Sequence, residues 1–105
     1  MQSTVNVDVT GLSSSLQVFN HSYAENGRVN INCTIHTSSD YQASTIGYIR
    51  DHKPSSNIAL PAIIRNGNTN ITFALYVHVD ANGVITLPSI GGHFSGAVIC
   101  GNYLV

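Results

Sequence analysis

The sequence predicts an all-β protein, a compact antiparallel barrel or sandwich of roughly six to eight short strands. Three observations lead there. Apolar residues recur at every second position in segment after segment, and over no long window at the three- and four-residue spacing of a helix. Asn-Gly, which tolerates the positive φ of tight hairpins, occurs at Asn26-Gly27, Asn66-Gly67 and Asn82-Gly83. The chain has 105 residues, enough for one modest core and too few for two.

The elements follow in order. Val5, Val7 and Val9 alternate in a first strand, and Leu16, Val18 and Asn20 in a second. Val29, Ile31, Cys33 and Ile35 form one face of a third, with Asn30, Asn32, Thr34 and His36 opposite. Ile46, Tyr48 and Arg50 suggest a fourth strand, and "NIALPAII" a fifth, where Pro61 marks a bend or an edge position. Ile71, Phe73, Leu75, Val77 and Val79 alternate without a break in a sixth. "GVITLP" is a seventh, and "GAVICGNYLV" closes the chain. "DANG", Asp80 to Gly83, fits a type I turn followed by a left-handed glycine, a G1 bulge. "GLSSS" and "HTSSDYQAS" read as loops.

Composition narrows the function. Apolar residues make up 43% of the chain, which argues against disorder. Only 9% are charged, against about 25% in ordinary globular domains, so Ser, Thr and Asn must supply the polar surface. Such a surface suits a virion or extracellular protein, or one that packs against its own copies. The net charge is −1 and no basic stretch could neutralise a row of phosphates, which speaks against nucleic acid. The longest apolar run, "IALPAII", is too short to cross a bilayer as a helix, and no signal peptide is visible. Cys33 and Cys100 read as two buried free thiols, and two isolated positions specify no disulfide.

No cofactor or metal is expected. His21, His36, His52, His78 and His93 are scattered, without the spacing of a zinc site. No Gly-x-Ser-x-Gly elbow or other nucleophile signature is present, and no catalytic residue is assigned. A small glycan hydrolase would need a carboxylate from Asp40, Asp51 or Asp80. Three glycosylation sequons begin at Asn20, Asn32 and Asn70, about what chance supplies.

Two clusters remain. On an extended strand Tyr76, His78 and Asp80 project from one face at roughly 6.8 Å intervals. They are either an ordinary solvated face or a shallow polyol site. A phenol offers a ring to sugar C–H groups and a hydroxyl, an imidazole both donates and accepts, and a carboxylate accepts twice. Arg50, Asp51 and His52 in "YIRDHKP" are the second cluster, read either as a salt-bridged loop or as further polyol contacts.

"GYIRDHKPSSNIALPAII" resembles the tyrosine- and proline-marked strand-loop-strand of C-terminal domains of phage tail proteins. "ITFALYVHVDANGVITLPS" follows as a long alternating strand, an Asn-Gly turn and a short strand, and "GAVICGNYLV" resembles the terminal strand of such domains. The order of these features over the C-terminal part is similar to the receptor-binding head domain of siphophages infecting lactic acid bacteria. The resemblance implies a single head domain over residues 1–105, the C-terminal part of a longer chain. It implies a homotrimer on the virion, at the tail tip or baseplate, next to other baseplate or tail proteins. The domain would bind host cell-wall saccharides, polyols or phosphopolysaccharides, without cleaving them. Relatives carry His-x-Asp at the sugar site with a Trp nearby; here those places hold Tyr76-Val77-His78, and the chain has no Trp. Tyr76 and His78 carry over by position, whereas Asp80, Arg50, Asp51 and His52 are added from their chemistry. The rival reading is a purely structural module that trimerises or caps a tail fibre.

Overall fold

The structure is a computed structural model and describes residues 2–41, 43–67, 70–88 and 94–105. His93 and the side chain of Asp40 lie outside the described part. The described residues form ten strands: β1 (Ser3–Thr4), β2 (Val7–Asp8), β3 (Leu16–Asn20), β4 (Tyr23–Glu25), β5 (Arg28–Tyr41), β6 (Thr45–Ile49), β7 (Ile58–Asn66), β8 (Thr72–Val79), β9 (Val84–Thr86) and β10 (Phe94–Leu104). Every ladder is antiparallel. The strands join in one curled sheet ordered β1-β4-β5-β10-β7-β8-β9-β6-β2, with β3 pairing β5 off this path. The fold class is the expected one, with two strands longer than foreseen.

The curl is closed by the N-terminal segment. Ser3 and Thr4 pair with β4 at one end of the strand order, while Val7 and Asp8 pair with β6 at the other. Between them the Val5 amide donates to the Ser22 carbonyl (3.1 Å), and the Asn6 carbonyl accepts from the Arg50 amide (2.8 Å). The expected single first strand is therefore two short ladders to two partners. Its alternation survives because Val5 and Val7 both face the core.

Most of the core follows from alternation. In β5 Val29, Ile31, Cys33 and Ile35 are buried; β7 adds Leu60, Ala62 and Ile64, and β8 adds Val77 and Val79. The Asn26-Gly27 turn between β4 and β5 has φ of 54° and 76°, the paired positive values that match a type I′ hairpin to strand twist. In the β8–β9 turn the Gly83 amide donates to the Asp80 carbonyl (2.9 Å) and the Asp80 amide to the Val84 carbonyl (3.3 Å). With Gly83 at φ 84° this is the expected turn and bulge. A Cβ on Gly83 would run into the Ile49 carbonyl, whose own amide donates to the Gly83 carbonyl (2.7 Å).

Four expectations are corrected. "HTSSDYQAS" is not a loop throughout: β5 runs on to Tyr41, paired by β3 as far as Thr37 and by β10 again at Tyr41, opposite Phe94, so cross-strand pairing overrides weak local propensity. In β6 the register shifts between Thr45 and Gly47, which buries Ile46, Gly47 and Ile49 and leaves Tyr48 half-buried, instead of aligning Ile46, Tyr48 and Arg50. Pro61 lies inside β7, not at the sheet edge. It is tolerated because the β10 ladder stops at Ile99–Ala62, one residue short of it. Opposite, a side chain on Gly101 would sit 3.0 Å from the Pro61 ring. Finally, both cysteines are free, but only Cys33 is buried; Cys100 is exposed because neighbouring positions on β10 face opposite sides. Burial pushes the Cys33 thiol up to about 12, with Cys100 adding a smaller push in the same direction.

Ile64, 0% exposed, should lose about 2–5 kcal/mol of stability on Ile64→Ala, whereas Leu75→Ala, only half-buried, should lose less; chemical denaturation of the two variants tests this. Gly83→Ala combines strain at positive φ with a backbone clash and should lower the thermal midpoint more than Gly11→Ala, where no atom lies within 4 Å.

Candidate functional site

Alternation along β8 decides where the first cluster points. Val77 and Val79 face the core, so Tyr76 and His78 face outward; both are exposed, Tyr76 at 62%. In register they stand beside Pro61 and Ala59 of β7. Next to Tyr76 lies an open groove of about 310 Å3, floored by β7, β8 and β10 and lined chiefly by Pro61, Ile63, Ala74, Tyr76, Val98 and Cys100. The phenol thus stands at the side of an apolar trough, with the imidazole one outward position further along the strand.

Asp80 does not extend that row. Its Oδ1 accepts from the backbone amides of Asn82 (2.9 Å) and Val84 (3.0 Å), so the carboxylate folds back over the turn it caps. The cause is local: an Asp opening a tight turn meets the amides two and four residues on before it meets solvent.

Arg50, Asp51 and His52 fasten the N-terminal segment. Arg50 Nε pairs with Asp8 Oδ1 (2.8 Å), its Nη2 donates to the Thr10 carbonyl (3.1 Å), and its guanidinium lies 4.3 Å from the centre of the Tyr48 ring. Asp51 accepts from the Asn6 amide (2.8 Å) and from Asn6 Nδ2 (3.1 Å). His52, at φ 51°, has its Nε2 3.5 Å from Ser3 Oγ and accepts the Tyr103 hydroxyl at its carbonyl (2.7 Å). The cluster forms a loop tied to the N-terminal segment by one salt bridge, Arg50 with Asp8, and by hydrogen bonds. Among the described residues no hydrogen bond or ion pair joins it to Tyr76 or His78.

A polar cleft went unnoticed in the sequence. It measures about 430 Å3 and is lined by His36, Thr37, Arg65, Gly67, Asn70, Ser95 and Gly96, drawn from β5, β7, β10 and the segment after β7. His36 stacks on the exposed Phe19 ring, centroids 5.7 Å apart and planes within 16°. The only linear hint was His36 on the polar face of its strand; the other residues meet through strand order alone.

Tyr103 carries a pH signature. Burial, and secondarily the Asp51 carboxylate, raise its hydroxyl from 10.0 to about 12. The folded state therefore keeps the proton that the unfolded chain gives up. The stabilisation is whole below about pH 10 and is lost as pH rises towards about 12. Stability followed against alkaline pH should fall more steeply in the native chain than in Tyr103→Phe, and equal slopes would show that Tyr103 is ordinary.

Compared with known proteins, the chain matches no family model, no curated protein and no solved structure.

Proposed function

We propose that this chain is the receptor-binding head of a phage adhesion device, a homotrimer on the virion that holds host cell-wall saccharides without cleaving them. The observation that carries the reading is the outward shelf of β8. An exposed phenol and an exposed imidazole stand in one row beside an apolar trough, on a strand whose other face turns towards the core. A sugar ring laid against Tyr76 meets an aromatic face for its C–H groups, and its hydroxyls meet the Tyr76 hydroxyl and the His78 ring. The shelf is shallow, so one site binds weakly, and linked copies raise the effective concentration without new contacts. Asp80, Arg50 and Asp51 drop out as primary contacts, since their described bonds hold the turn and the N-terminal segment.

A specific observation favours the rival, a structural module with no sugar site. Phe19, Ile63, Tyr76 and Val98 are all large, apolar and 44% or more exposed, and all lie on the outward side of the sheet. A face of that kind suits a partner surface as well as a ligand.

Titration with glycerol and neutral envelope saccharides separates the two, read by intrinsic tyrosine fluorescence and protein resonances. A binding head should respond at Tyr76 and His78, and His78→Ala should weaken cell adsorption with its thermal midpoint nearly unchanged. A silent titration with normal assembly supports the structural module instead. Molar mass in solution checks the second part of the proposal: three chains are expected, and Ile63→Glu should lower the mass if the outward face mediates assembly.

A further inference from the structure

We infer that the cleft between β5, β10 and β7 is an oxyanion site, seated on a notch between His36 and Arg65. It lies apart from the Tyr76 shelf, and its chemistry is different. In register, Gly96 of β10 is the direct partner of His36 on β5 and of Arg65 on β7. The three positions form one row across the sheet, with side chains to left and right and none in the middle. Neighbouring strands are about 4.8 Å apart, so the two flanking backbones stand roughly 10 Å apart, room for one tetrahedral or planar anion.

Nothing in the fold demands glycine there. A Cβ on Gly96 would meet only ordinary contacts, 3.6 Å from His36 Cβ and 3.6 Å from the Ile35 carbonyl oxygen. Gly96 is also absent from the positive-φ positions. A side chain would be accommodated by the backbone but would fill the notch. The strand is irregular at the same place: the ladders of β10 to both neighbours shift register between Phe94 and Gly96. Such bulges re-aim side chains, and Ser95 Oγ here donates to the Arg65 carbonyl (3.2 Å).

The lining is one-sided in charge. Arg65 is its one formal charge, and no carboxylate lines the cleft among the described residues. Arg65 Nη2 donates to Asn70 Oδ1, which steadies one corner of the guanidinium fork and leaves the rest of it for a bidentate acceptor. His36 is oriented by its stack on Phe19 and offers a ring nitrogen from the other bank. Thr37, Ser95 and Asn70 complete a rim of short hydrogen-bonding groups. The fitting ligand is a phosphate or carboxylate carried on a polar molecule. From Arg65 to Pro61, the partner of Tyr76, is four residues along β7, about 13 Å.

The test is a titration of the whole chain with inorganic phosphate, glycerol phosphate, acetate and glucuronate, followed by amide and imidazole resonances. Either oxyanion class should give saturable shifts at His36, Arg65 and Gly96, and the two pairs of probes show which is preferred. Arg65→Gln should weaken binding about tenfold or more, and Gly96→Val should abolish it with the thermal midpoint confirming a folded chain. Arg28→Gln, which removes equal charge from an exposed arginine bound to Asn102, should leave it unchanged. The site is refuted if no oxyanion gives saturable shifts, or if Arg28→Gln weakens binding as much as Arg65→Gln. Neutral saccharide shifting Tyr76 while phosphate shifts nothing would sink this site and leave the shelf standing.

Discussion

The structure depends on one short segment doing two jobs. Residues 3–8 supply the last ladder at both ends of a single sheet, to β4 on one side and to β6 on the other. Each ladder is only two residues long, so backbone pairing alone holds it weakly. Side chains make up the difference. Val5 and Val7 are buried in the core, and Asp8, Asn6 and Ser3 add polar ties to Arg50, Asp51 and His52 of the loop that follows β6. Without the segment two strand edges would stand open, the arrangement that invites pairing with other chains.

That constraint explains the fate of the polar residues. Arg50, Asp51 and His52 sit side by side because three successive positions on a loop must reach three different points of the segment: Asp8, Asn6 and Ser3. Tyr103 reaches the same loop from β10, so the last strand is also pinned there. The outward face carries no such duty and is left to exposed side chains, the Tyr76 shelf at one end of β7 and the His36–Gly96–Arg65 row at the other.

Much of this was legible from local patterns. Period-two alternation located β3, the first part of β5, β7, β8 and β10, and the Asn-Gly pairs located two hairpin turns, because both signals arise within a few residues. Exposure of Tyr76 and His78 followed from the burial of Val77 and Val79, which alternate with them. Long-range effects stayed hidden. β4 is three residues long, too short to show a period, and the shifted register of β6 depends on its pairing with β9. The role of Asp51 depends on Asn6, and the notch depends on strand order bringing residues 36, 65 and 96 together. No spacing in a linear sequence encodes those meetings.

The scarcity of charge has its own consequence. Among the described residues a single ion pair is present, Arg50 with Asp8, and both of its side chains are about two-fifths exposed. Added electrolyte therefore has little inside the molecule to weaken, since screening acts on exposed charges and leaves buried isoleucines and backbone ladders alone. The fold should keep its shape from nearly fresh water to brine.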